Sequence, residues 1–85
     1  MWYTYLLENE HGKWYTGATG DLQKRILEHN SGVTRTTKYG GQWKLIYCEI
    51  CINKKDAFAR EKYLKSGMGR RYLKNRLKFF FAKSF

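Results

Sequence analysis

The chain has 85 residues and a formal net charge of +10, from 17 Lys and Arg against 7 Asp and Glu. That length bounds it to one domain, 1–85, with a modest core, and 42% hydrophobic and 18% aromatic residues exclude a disordered polyelectrolyte. No run of about 18 apolar residues exists to cross a membrane, and the start lacks the basic and apolar stretches of a signal peptide, so a cytoplasmic protein without a membrane partner is expected.

In chain order, "WYTYLL" at 2–7 is aromatic and β-branched and predicts a strand. "NEHGK" supplies a glycine-containing turn, and "WYTG" at 14–17 reads as the hairpin partner. Thr19 or Asp21 can cap the helix that follows, and Asn30-Ser31-Gly32 ends it. Residues 32–42 form a loop rich in Thr, Gly and cations. Residues 43–52 predict a strand apolar on both faces, hence a central one. Asn53, with Asp56 three residues on, opens a second helix in a capping-box-like arrangement, and Gly67 interrupts it. A last, basic helix is expected over 70–80. Cys48 and Cys51 sit within the third strand, where the two-residue period places positions three apart on opposite faces. Structural thiols are therefore expected rather than a redox pair or half a zinc site.

Three polar side chains face the wrong way for a core this small. On the first helix, Arg25 and His29 lie one turn apart beside Leu22 and Ile26, the pair expected to face inward. On the second, Glu61 falls between Ala57 and Leu64 in the apolar stripe, where a carboxylate must be paired, hydrogen-bonded or bound to a metal. Strand alternation adds Tyr5 from the first strand and Tyr15 from the second. If the hairpin pairs those faces, one side of the sheet gathers two phenols, a guanidinium, an imidazole and a carboxylate. That set suits phosphodiester cleavage: a phenol or imidazole to take a proton from water, a guanidinium for charge on the phosphate, a carboxylate for a metal.

Taken singly, each residue has a plainer reading. The tyrosines could be ordinary amphipathic strand residues, Arg25 and His29 could snorkel from the edge of the stripe, and Glu61 could pair with Arg25. Their joint occurrence, in order, favours an active site.

Those residues resemble the GIY-YIG nucleases of the small stand-alone kind. Tyr3-Thr4-Tyr5 stands where the family has Gly-Ile-Tyr, and Tyr15-Thr16-Gly17 where it has Tyr-Ile-Gly. "DLQKRILEHNSG" resembles the family's arginine helix and "AFAREKYLKS" the helix of its metal-binding glutamate. The resemblance runs from residue 2 to about 77. It implies an α/β fold, a small three-stranded, mainly antiparallel sheet flanked by helices in the order β-β-α-β-α-α. It further implies a metal-dependent DNA endonuclease of repair or recombination, using a single Mg²⁺ or Mn²⁺ ion. Tyr15 would be the base or water-positioning group, Tyr5 its support, Arg25 the ligand of the scissile phosphate, His29 a further catalytic group and Glu61 the metal ligand. Two departures stand out: Tyr3 replaces the family's first glycine, and Asn75 is the candidate for its late asparagine.

From residue 60 onward the chain has nine cations and one acid, Glu61. Arg70, Arg71 and Lys74, with Asn75, are expected to contact phosphates, and Arg35 and Lys38 of the Thr-rich loop to extend that surface. Nucleic acid, DNA first, is the expected partner. A non-cleaving nucleic-acid-binding module of the same fold, working with a partner protein, is the alternative.

Overall fold

The computed structural model describes residues 1–34 and 37–82, which form three strands and four helices. Strand β1 (Trp2–Asn9) turns through Gly12 into β2 (Trp14–Thr19), helix α1 (Leu22–Asn30) follows, and β3 (Trp43–Cys51) completes the sheet. Helices α2 (Lys54–Lys65), α3 (Gly67–Arg76) and the single turn α4 (Lys78–Phe81) close the described chain. The fold is mixed α/β, as expected, with a wholly antiparallel sheet of order β2-β1-β3.

The central strand is β1 rather than the expected β3. In β1, Thr4 to Asn9 are all buried, whereas Leu45 and Ile50 of β3 are exposed. Two-faced apolarity in β3 reflects partial cover by helices, and does not report how many hydrogen-bonded neighbours a strand has.

The helix boundaries follow local chemistry. Asp21 caps α1 by accepting a hydrogen bond from the Lys24 N–H, and Asn53 caps α2 by accepting from the Lys55 N–H. Ser66 ends α2 in an extended conformation, then caps α3 by accepting from the Gly69 N–H. The two helices meet so closely that a Cβ at Gly69 would collide with the Leu64 backbone, which is why only glycine fits there. The C-terminal end of α1 is tied to the sheet by Asn30, whose side chain accepts from the Trp43 N–H at 2.6 Å and donates to the Trp43 carbonyl at 2.9 Å.

Alternation in β1 splits the core into two clusters. Tyr5 and Leu7 face α1 and pack with Trp43, Tyr15, Leu22, Ile26 and Cys48. Leu6 faces the other way and packs with Leu64 of α2 and Leu73 of α3. On that second face the Thr4 hydroxyl donates to the Ala57 carbonyl at 2.8 Å. Cys48 and Cys51 are free thiols, as expected. Among the described residues, no helix is long and apolar enough to cross a membrane.

Candidate active site

The site is built where β1, β2 and α1 meet. Tyr5 pairs with Gly17 across the β1–β2 ladder, and its ring lies over that glycine, where a Cβ would collide with the phenol. The absent side chain thus lets a tyrosine reach across β2, an edge strand. The Tyr5 hydroxyl stands 2.8 Å from Nε2 of His29, and Nδ1 of His29 stands 2.9 Å from the Thr37 hydroxyl. Thr37 is itself fixed, since its carbonyl accepts from the Trp43 indole N–H at 3.1 Å. The Tyr15 ring completes the group, 4.5 Å from the imidazole centroid and 6.3 Å from the Tyr5 ring.

Burial sets the protonation states. Tyr5 is pushed up to about 12, chiefly by burial, against the opposing hydrogen bond from Arg25. His29 is pushed down to about 4, by burial first and by the Arg25 charge second, so it is neutral at physiological pH. Arg25 is held cationic by its hydrogen bond to Glu28, with Tyr5 adding to the effect. Its Nη1 lies 2.9 Å from Glu28 Oε1, and its side chain remains about a third exposed. With one donor spent on Glu28, the rest of the five-donor fork can meet a phosphate.

Four of the five expected groups, Tyr5, Tyr15, Arg25 and His29, therefore converge on the α1 face. The expectation of a single-faced site needs one correction, because Glu61 comes from α2, which packs on the opposite face with Ala57 and Leu64. Helical periodicity places a residue on a stripe of its own helix, and not on a face of the sheet. Glu61 is nevertheless close enough for its charge to act on the Tyr5 phenol, which extends toward the β2 edge. The carboxylate is half-buried and ion-paired with Lys65 at 2.7 Å, rather than with Arg25.

A divalent ion fits this donor set only in a particular way. Among the described residues no group of three or more His, Cys, Asp or Glu could hold one. A single carboxylate suits a hard ion that completes its coordination with water and substrate phosphate, as Mg²⁺ commonly does. Glu61 is the residue here that matches that pattern.

The expected phosphate contacts are more dispersed. Arg70 is half-buried: its guanidinium lies 5.3 Å from the Trp14 ring, and its Nη1 donates to the Thr16 hydroxyl at 2.9 Å. Arg71, Lys74 and Asn75 are exposed on α3, and no hydrogen bond or ion pair among the described residues joins Asn75 to the tyrosine cluster. Lys38 is exposed, its Nζ 5.3 Å from the Tyr39 ring. Arg35 lies outside the described residues. Thr37, by contrast, belongs to the cluster and was missed, since one Thr in a Thr-rich loop carries no periodicity to mark it.

The chain is similar to known proteins of one family. The family described as the GIY-YIG catalytic domain matches residues 1–73. A UPF0213 protein of Clostridium perfringens is 42% identical over 66 residues, covering 76% of this chain and 71% of the relative. One from Staphylococcus saprophyticus is 34% identical over 73 residues, 85% of this chain and 89% of the relative. The solution NMR structure of a UPF0213 protein from Bacillus halodurans is similar in fold, with a TM-score of 0.53, 34% identity, and coverage of 86% of this chain and 82% of that one.

Proposed function

The chain belongs to the GIY-YIG family, and on that premise we propose that it is a metal-dependent DNA endonuclease acting in the cytoplasm on structured DNA of repair or recombination. The observation that carries the reading is the buried Tyr5–His29 hydrogen bond of 2.8 Å with the Arg25 guanidinium beside it. A core of this size gains little by burying a phenol against an imidazole unless their placement serves another group.

In this mechanism Arg25 binds the scissile phosphate and meets the charge that develops on its oxygens. Tyr15, half-buried at the front of the cluster, positions the attacking water, whose proton passes on to the leaving oxygen. Tyr5 is 1% exposed and stays protonated, so it acts on Arg25 and Tyr15 as a positioning residue and does not itself touch the strand. Neutral His29 holds Tyr5, and Thr37 holds His29. Glu61 would hold the Mg²⁺ or Mn²⁺ ion, which when bound stabilises charge on the phosphate and on the leaving oxygen. Hydrolysis joins the water oxygen to phosphorus, breaks one P–O bond, and leaves a phosphomonoester and a hydroxyl.

One observation favours the alternative of a non-cleaving binding module. Glu61 already has a cation, Lys65, 2.7 Å away, so its charge has a structural partner. Labelled flaps, forks, nicked duplexes and single strands incubated with Mg²⁺ or Mn²⁺ separate the two. The nuclease reading expects cleavage of at least one, abolished in Arg25→Ala while binding persists; binding to all and cutting of none supports the module.

A further inference from the structure

Beside Arg25, between the start of β1 and the first turns of α2, lies a groove of about 480 Å³ lined in part by Trp2, Lys24, Arg25, Glu28, Lys54 and Phe58. Its volume falls within the ~300–1,000 Å³ range of sites that take small ligands or parts of larger ones. We infer that this groove is a nucleobase subsite, in which Trp2 and Phe58 stack an unpaired base of the strand whose phosphate Arg25 holds. The inference rests on the proposed nucleic-acid function and adds to it a substrate feature, an unstacked nucleotide next to the bound phosphate.

The aromatic pair bridges β1 and α2 outside the packed core. Neither Trp2 nor Phe58 belongs to either core cluster, and α2 is anchored by Ala57 and Leu64 instead. Their rings form a tilted pair, with centroids 6.2 Å apart and planes at 54°, and Phe58 is 43% exposed. The indole packs on Gly20, where a Cβ would come within 3.3 Å of the ring. The result is a half-open aromatic wedge at the groove.

The charges point to a nucleotide rather than an apolar or cationic ligand. Lys54 Nζ lies 5.2 Å from the Trp2 centroid and 5.9 Å from that of Phe58, so a cation already rests on the wedge. A flexible lysine can swing from the rings to a phosphate when a base takes its place, which preserves its pairing. Lys24 and Arg25 add two more cations at the rim. The acids there are engaged: Asp21 accepts from the Lys24 N–H at 3.1 Å, and Glu28 pairs with Arg25. Alternation of cation and aromatic face is what single-stranded nucleic acid binds, with phosphates on the charges and bases on the rings. A base in a closed duplex is stacked on both sides and cannot enter.

The test is binding without metal, which is independent of cleavage. Anisotropy titrations would compare a thymidine pentanucleotide, an abasic strand of the same length and a blunt duplex. The wild-type chain should bind the thymidine strand about tenfold more tightly than the abasic one, as loss of base stacking predicts. Phe58→Leu, which keeps apolar bulk without a π face, should bring the two strands within about twofold of each other and leave duplex affinity unchanged. Phe58→Trp should restore the preference, and matched melting temperatures would show that all three chains are folded. A wild-type chain that does not distinguish thymidine from abasic strands overturns the subsite. So does an equal loss on strand and duplex in Phe58→Leu. Cleavage measured on the same preparations keeps the two readings apart. A chain that shows the stacking signature and never cuts leaves the subsite standing without the nuclease, and one that cuts with Phe58→Leu unaltered on every strand does the reverse.

Discussion

The Tyr5 hydroxyl and Nε2 of His29 stand 2.8 Å apart, and each residue is only 1% exposed. A phenol and an imidazole so enclosed satisfy each other's polarity, with Thr37 closing the far end at 2.9 Å from Nδ1. They form the floor of the site, and Tyr15 and Arg25 its accessible front.

Burial of His29 should make stability depend on pH in a defined window. Folding lowers its pKa from 6.5 to about 4, so above pH 6.5 both states are neutral and the group has no effect on the pH dependence. As pH falls below 6.5 the unfolded chain takes up a proton that the folded chain refuses until about pH 4, and stability falls across that interval by up to about 3 kcal/mol. Urea midpoints at pH 7, 5.5 and 4 should show the advantage of wild type over His29→Gln shrinking with acidity. A constant difference would mean that His29 protonates in place.

Gly17→Ala should damage the site through Tyr5. The new Cβ would lie 2.6 Å from the phenol's Cζ, and the ring cannot retreat, since it is packed within the core. Overpacking of this kind costs about 1–3 kcal/mol. Thermal melting should fall, and cleavage should fall further than stability alone accounts for, because the Tyr5–His29 hydrogen bond is broken. Unchanged melting and rate would show that Tyr5 has room to move.

Glu61→Gln keeps the size of the side chain and removes the charge that a hard cation requires. Cleavage should drop by at least about a hundredfold, with metal-free DNA binding equal to wild type or slightly tighter. Stability should change by only a few tenths of a kcal/mol, the usual contribution of an i,i+4 pair such as Glu61–Lys65. A variant that cuts as well as wild type removes Glu61 from the mechanism.

The cations of α3 should divide by burial. Arg70→Ala removes a hydrogen bond to Thr16 and a guanidinium stacked on Trp14, and should lower stability by about 1–2 kcal/mol. Replacing the exposed Arg71 and Lys74 with Ala should leave melting unaltered and flatten the logarithmic salt dependence of DNA binding by about two, one counterion for each lost phosphate contact. An unchanged slope would make this a solvated face only.

Much of the fold was legible in the chain because it is written in local chemistry. The hairpin turn at Gly12, the caps Asp21 and Asn53, and the break before Gly67 each depend on a few neighbouring residues, and each stands where the pattern placed it. That Tyr5, Tyr15, Arg25 and His29 meet on one face was legible for a related reason: strand alternation put both phenols on one side of the sheet, and Arg25 and His29 stood out as polar groups beside an apolar helix stripe, where they cost free energy in a small core.

Tertiary structure decided what depends on partners distant in the chain. Which strand is central follows from which edges find hydrogen-bonding neighbours, and that placed β1 between β2 and β3 although β3 has the more evenly apolar pattern. Periodicity placed Glu61 on the buried stripe of α2, but only the packing of α2 put that stripe on the far face and left the carboxylate to act on Tyr5 at the β2 edge. Thr37 entered the site because Asn30 and Trp43 fold its loop back over α1, and Arg70 left the surface because Trp14 and Thr16 were there to receive it. Sequence fixes a side chain's chemistry and its face on its own element; what lies opposite that face depends on chain closure across tens of residues, which no local pattern encodes.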